Sequence, residues 1–161
     1  PAIYAIGPPA AIPDALVARL EQYGTVHRIS GNTPAENAIA VARFSEGSFG
    51  FGVQGPGHGL AFANAQRPLD GAAAAALATG GDFAPLLLLE SASSLPAPLT
   101  HYLEDIAGAY NKQVPAVKSL YNHGWIIGGA DAVTPVAQAQ IDALLEIVSR
   151  NTPTPTPEFA P

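Results

Sequence analysis

Residues 4–13 read Tyr4-Ala5-Ile6-Gly7-Pro8-Pro9-Ala10-Ala11-Ile12-Pro13, and residues 125–134 read Trp125-Ile126-Ile127-Gly128-Gly129-Ala130-Asp131-Ala132-Val133-Thr134. Each is a short apolar run, a glycine turn, small residues, one β-branched residue and then a helix start. The two stretches lie at a constant offset, and the helices that follow keep apolar residues in phase at Leu20 and Ile141. A strand, glycine turn and helix at both ends of a chain is the pattern of a tandem array cut within one repeat unit.

Outward from these two units the chain alternates regularly. Strands are expected at Ala2–Gly7, Thr25–Ser30, Phe49–Gln54, Pro85–Glu90 and Trp125–Gly128, with a short extra strand or extension in 114–121. Helices are expected at Pro13–Tyr23, Pro34–Ser45, Leu69–Thr79, Pro98–Tyr110 and Thr134–Ser149. Ile12-Pro13-Asp14 puts proline and an acid in a first turn, ahead of Leu16, Val17 and Leu20 at helical spacing. Thr33-Pro34-Ala35-Glu36 is a capping box, and Thr134-Pro135 repeats the cap-plus-proline signal. Continuous apolar strands between helices are covered on both faces. The fold class is therefore α/β, a three-layer α/β/α sandwich with a mainly parallel sheet and right-handed crossovers.

With 161 residues, 48% of them hydrophobic and 12% charged, the chain is too apolar to be disordered and long enough for one core. No apolar run approaches the roughly 20 residues of a spanning helix, so no membrane insertion is expected. A net charge of −6 with scattered basic residues argues against nucleic acid, which needs clustered Lys and Arg. There is no Cys, hence no disulfide, thiolate zinc site or cysteine nucleophile. There is also no Met, which reads as processing or as a fragment of a longer protein. Thr152-Pro153-Thr154-Pro155-Thr156-Pro157 reads as an extended tail, either a linker or an arm on a neighbour.

No catalytic constellation is legible. Gly55-Pro56-Gly57-His58-Gly59 follows an expected strand, but Leu60 stands where a dinucleotide fingerprint needs its last glycine, and no Lys-Ser/Thr follows. Glu46-Gly47-Ser48-Phe49-Gly50 is one position out of phase for a nucleophile elbow. His27, His58, His101 and His123 form no pair at metal-ligand spacing. Neither metal nor cofactor is expected. His58 and His123 both lie in glycine-flanked turns beside strands, where α/β sheets tend to place ligands. Asp70, at the start of an Ala-rich helix, suits a helix cap better than a ligand contact.

Taken together, Arg28-Ile29-Ser30-Gly31, the helix from Thr33, Leu69-Asp70-Gly71-Ala72-Ala73, Pro85-Leu86-Leu87-Leu88 and Ile126-Ile127-Gly128-Gly129 before Thr134 resemble, in order, the cell wall binding repeats of secreted bacterial proteins. The resemblance runs over about residues 25 to 148. Asn32-Thr33-Pro34-Ala35-Glu36-Asn37 departs from it, lacking the Arg and aromatic of the family's Arg-Tyr-x-Thr element. The loop from Gly55 through Gln66 is unlike the family's usual connection, and Lys112–Gly124 is longer than typical.

What the resemblance implies is a module that attaches a secreted protein to anionic wall polymer, often as one of three units packed as a trimer. Residues 1–24 would then be the end of a preceding repeat-like unit, 25–149 the repeat-like domain and 150–161 the Pro/Thr-rich tail. Its place would be extracytoplasmic, at the cell wall or cell surface. The candidate ligand-binding residues are Arg28, Arg67, Asp70 and His58, the two arginines because a guanidinium matches phosphate or carboxylate geometry. The competing expectation is a structural subunit of a larger envelope-associated complex, partnered by an envelope protein, sister repeats or copies of itself. An enzyme ranks behind both.

Overall fold

In the computed structural model, described for residues 1–79, 83–110, 121–146 and 148–149, the elements follow the order β1 (Ala2–Ile6), α1 (Asp14–Leu20), β2 (Thr25–Ile29), α2 (Pro34–Arg43), β3 (Ser45–Glu46), β4 (Phe49–Gly50), β5 (Gly59–Asn64) and α3 (Pro68–Ala73). They continue with α4 (Ala75–Thr79), β6 (Leu86–Leu89), α5 (Ala97–Asp105), β7 (Ala109–Tyr110), β8 (His123–Ile126), α6 (Pro135–Leu145) and β9 (Val148–Ser149).

The core is organised around a three-stranded parallel sheet in the order β6-β5-β8. Leu60 and Phe62 of β5 and Leu87 and Leu89 of β6 pack with Ala42 of α2, Leu99, Tyr102 and Leu103 of α5, and Ala137 and Ile141 of α6. On the opposite face Ala61 meets Ala74 and Leu77 at α3 and α4 and Ala84 just before β6, together with Leu86, Trp125 and Ile127. Helices therefore cover both faces, and the arrangement is the α/β/α sandwich with a parallel sheet. Burial on both sides explains why Leu60-Ala61-Phe62-Ala63 shows no polar alternation. Each fully buried Leu or Phe contributes about 1.5–3 kcal/mol, so the thick, Leu-rich face carries most of the stability.

The remaining strands form pairs rather than one larger sheet. β1 and β2 are parallel, β3 and β4 make an antiparallel hairpin, and β7 pairs in parallel with β9. Tyr4 stacks on Phe49 with ring centroids 3.9 Å apart and also on His27 at 5.5 Å, clamping the hairpin to the β1–β2 pair.

The repeat seen in the sequence is also a repeat of hydrogen bonds. Ala11 and Ile12 N–H both donate to Pro8 O at 2.9 Å, and Ala132 and Val133 N–H donate to Gly129 O at 2.9 and 3.1 Å. Val17 N–H donates to Pro13 O as Gln138 N–H does to Thr134 O. Gly7 and Gly128 hold φ of 140° and 115°, the left-handed region that only glycine enters without strain. The capping box forms as expected, with Glu36 N–H donating to Thr33 Oγ1 and Thr33 N–H to Glu36 Oε2, both at 3.2 Å.

Several boundaries differ from the expectations. The strand anticipated at Phe49–Gln54 is only the second arm of a hairpin, because Gly50 and Gly52 adopt φ of 102° and 63° and break the extended run. The central strand is instead Gly59–Asn64, within the segment read as a loop. The helix expected over Leu69–Thr79 is broken at Ala74, which ends α3. The last strand is His123–Ile126, and the final helix stops at Leu145. The extension expected in 114–121 falls outside the described residues except for Tyr121, and the Pro/Thr tail lies outside them altogether.

Candidate functional site

After β5 the chain turns to the alanine-lined face and enters α3; after β8 it turns to the opposite face and enters α6. Neighbouring parallel strands whose connections leave in opposite directions open a crevice at their carboxyl ends, where α/β sheets bind ligands. Asn64 ends β5 in this crevice. Its buried Nδ2 donates to Ala132 O at 2.9 Å, and its Oδ1 accepts from Gln66 N–H at 2.9 Å. That one amide ties the turn after β5 to the turn after β8.

Arg67 stands directly before α3 and reaches over this turn. Its Nη1 donates to Asp131 Oδ2 at 2.7 Å, and its Nε lies 3.5 Å from Asp70 Oδ2. The Arg67 hydrogen bond holds the Asp131 carboxyl below the usual carboxylate range, and Asp131 in turn raises Arg67. Asp70 is the unsatisfied member. Its Oδ2 is buried without a hydrogen-bond partner, 2.9 Å from where a Cβ on Gly128 would sit. It makes no side-chain capping bond at α3, but it lies in that helix's first turn, where an acid suits the positive end of the helix dipole. Its Oδ2 is compensated by the charge of the Arg67 guanidinium rather than by a hydrogen bond.

One arginine between two carboxylates is net negative, which sets the chemistry of the crevice. Such a site presents the exposed Asp131 carboxylate to hydroxyl groups and one guanidinium to an anionic group. A polyhydroxylated ligand carrying a phosphate or carboxylate matches that combination.

The structure brings Arg67 and Asp70 together and leaves the other two candidates elsewhere. Arg28 lies on β2, where Nη1 donates to Gly7 O at 2.7 Å and Nη2 to Ile12 O at 2.8 Å and Asp14 Oδ1 at 3.0 Å. Those bonds hold the β1–α1 turn. His58 precedes β5 at the amino end of the sheet, about 20 Å from Arg67 by strand rise. Its turn is fixed by buried Asn122, whose Oδ1 accepts from the N–H groups of Gly57 and His58 and whose Nδ2 donates to Ile106 O. Among the described residues no group of three or more His, Asp or Glu side chains is arranged to hold a metal.

Asp131 and Asn64 were not singled out from the sequence. The signal for Asp131 was in the repeat itself, since the first copy carries Ala10 at the corresponding place. Among the described residues no helix is long and apolar enough to cross a membrane.

A family model described as cell wall binding domain 2 matches residues 28–138. Among solved structures, Cwp8 from Clostridium difficile is similar over 89% of this chain, with a TM-score of 0.60 and 16% sequence identity. The chain spans 20% of that protein's length, and likeness at this identity speaks for the fold alone. None of the curated proteins matches.

Proposed function

The chain belongs to the cell wall binding domain 2 family, and from that premise we propose that it is a non-catalytic module holding an extracytoplasmic protein to anionic wall polymer through the carboxyl-edge crevice. The observation that carries this reading is the Arg67, Asp70 and Asp131 cluster, which lies inside the matched stretch and leaves Arg67 and Asp131 exposed at the carboxyl edge of the sheet. In this reading polymer hydroxyls donate to Asp131, Asp70 holds the Arg67 guanidinium from beneath, and Arg67 meets a phosphate or carboxylate of the repeating unit. Arg28 acts at a distance by holding the β1–α1 turn, and His58 lies outside the contact.

The test is co-sedimentation of the full chain with purified cell walls that carry anionic polymer and with walls stripped of it. Binding only to the former, falling with salt as the Debye length shrinks toward about 3 Å at 1 M, is the expected result. Asp131→Asn and Arg67→Ala should each weaken binding, by roughly 1.5–3 kcal/mol for a lost charge-assisted hydrogen bond. Equal retention by stripped and intact walls would overturn the polymer as ligand.

A further inference from the structure

Three large apolar side chains that are open to solvent, Ile6, Phe49 and Phe83, meet at one cavity of about 450 Å³. It lies between the carboxyl end of the β1–β2 pair, the last turn of α2 and the β3–β4 hairpin. Ile29, only 4% exposed, and Val41 of α2 line it more deeply, with Phe44 and Phe51 flanking the hairpin. Among the described residues no side chain that lines it carries a polar atom. None of Asn64, Arg67, Asp70 and Asp131 is among the lining residues, so the cavity is separate from the carboxyl-edge crevice.

The walls are held in place by groups outside the cavity. Tyr4 lies on the Phe49 ring at 3.9 Å between centroids, and Phe44 stands edge-on to it at 6.1 Å. Glu46, the register partner of Phe49, is tied to β2 by His27 Nε2 at 3.4 Å. The hairpin is therefore pinned without filling the space beneath it. Phe83 adds a second, independent sign. Its φ of 46° makes it the one non-glycine residue in the left-handed region among the described residues, and its side chain is 66% exposed. A bulky residue is strained there, and such strain is found at ligand clamps. Here it sets a phenyl ring at the cavity mouth.

The walls also select the occupant. A helix with its side chains is about 10–12 Å across, too wide to enter a cavity of 450 Å³, which is instead the size of a small-molecule site. A flat aromatic ring gains most from a free stacking face, and Phe49 already has Tyr4 on its face and Phe44 at its edge. The deeper wall is aliphatic, from Ile29 and Val41, and a flexible chain fits it. A charged or hydrogen-bonding group inside would be left without a partner. We infer that this cavity binds one unbranched hydrocarbon chain, the tail of an amphiphile whose polar head stays outside the mouth formed by Ile6, Phe49 and Phe83. This is a second site, and it does not depend on what the carboxyl-edge crevice binds.

The experiment titrates the full chain with hexanol, octanol and decanol, read by calorimetry and by methyl NMR shifts. Kd should fall roughly fourfold for each added methylene, the expected gain from burying one CH₂. The methyl shifts should centre on Ile6, Ile29 and Val41. Hexanediol with a hydroxyl at each end should bind at least about tenfold more weakly than hexanol, since one hydroxyl would be buried unpaired. Ile6→Trp fills the cavity from its mouth, and Phe83→Asp places a carboxylate there. Both change exposed positions, should leave the far-UV circular dichroism unaltered, and should each weaken octanol at least about tenfold. Affinity that does not rise with chain length, methyl shifts centred elsewhere, or full affinity in either folded variant would overturn the inference. So would octanol affinity that falls as protein concentration rises, which would give the cavity to a second copy of the chain.

Discussion

Arg67 and Asp131 sit on connections that leave the sheet toward opposite faces, yet Nη1 of one donates to Oδ2 of the other at 2.7 Å across the mouth of the crevice. The ion pair closes what the topology opens. Because the Asp131 carboxyl is held below its ordinary value by this hydrogen bond, its folded pKa lies under the unfolded value of about 3.9. The sign follows. Stability from this pair is present above the unfolded pKa and is lost as pH falls through the folded one. A carboxyl-detected NMR titration should place the Asp131 midpoint below about 3.9, and Arg67→Ala should raise it toward that value, the backbone N–H groups of Asp131 and Ala132 keeping part of the depression. An unchanged midpoint in the variant would mean that the pair does not persist in solution.

Gly128 makes room for Asp70. With φ at 115° and a Cβ position 2.9 Å from Asp70 Oδ2 and 3.0 Å from Ala132 Cβ, Gly128→Ala adds both backbone strain and a collision at the crevice. Its repeat counterpart Gly7, with φ at 140°, meets nothing nearer than Ala11 Cβ and Ile12 Cδ1 at 3.6 Å, so Gly7→Ala adds strain alone. Each should cost about 1–3 kcal/mol in urea unfolding. Only Gly128→Ala should also shift the Asp70 resonances and weaken retention on cell walls. Equal loss of retention in both variants would detach the glycine from the site.

The contrast between Gly7 and Gly128 also shows what a sequence conveys. Helix starts at Thr33 and Thr134 were legible because capping is local: the cap and its partner lie within four residues. The strand Gly59–Asn64 was hidden because half its buried face is alanine and a Gly-Pro-Gly turn precedes it, while Phe49-Gly50-Phe51 imitated alternation. Arg67 and Asp70 were found as a residue type and a helix-start acid three positions apart. Asp131 joins them only through the β5–β8 pairing, a tertiary relation that spacing does not encode. Arg28 and Arg67 look alike in sequence, and the difference between them is which carbonyls lie within reach.

Tyr102 offers a check on the core at the other pH extreme. It is buried against α2 and the β-sheet, its hydroxyl donates to Val53 O at 3.1 Å, and the Arg43 guanidinium carbon lies 4.8 Å from its ring centroid. Burial pushes the phenol up to about 12, with Arg43 opposing the shift. The folded state thus keeps its proton where an unfolded tyrosine, with a pKa near about 10, loses it. The stability this contributes is full below pH of about 10 and is lost as pH rises toward the folded value. Urea midpoints measured below and above that point should fall more steeply for the wild type than for Tyr102→Phe. The Phe variant should itself be less stable at neutral pH by about 1 kcal/mol, since Val53 O loses its donor. Parallel pH profiles would show that the hydroxyl is already ionised or exposed in the folded state.

Arg28 and Arg67 together separate fold from binding. Arg28 gives hydrogen bonds to two backbone carbonyls and to Asp14, and its side chain is only 20% exposed. Arg28→Ala strips those carbonyls of a charged donor and loosens the β1–α1 turn, for a stability loss of about 1.5–3 kcal/mol. Arg67 is roughly half exposed, and its bond to Asp131 is of the surface kind, so Arg67→Ala should cost less than about 1 kcal/mol. Retention on cell walls should rank the other way. Arg67→Ala loses it with the thermal unfolding midpoint nearly unchanged, whereas Arg28→Ala lowers the midpoint and retains binding at temperatures where the domain stays folded. The measurement is a pair of unfolding curves and wall-binding isotherms for the two variants at one salt concentration. If Arg28→Ala lost binding while fully folded, the contact surface would lie on the β1–α1 side of the molecule, and the carboxyl-edge crevice would no longer be the candidate.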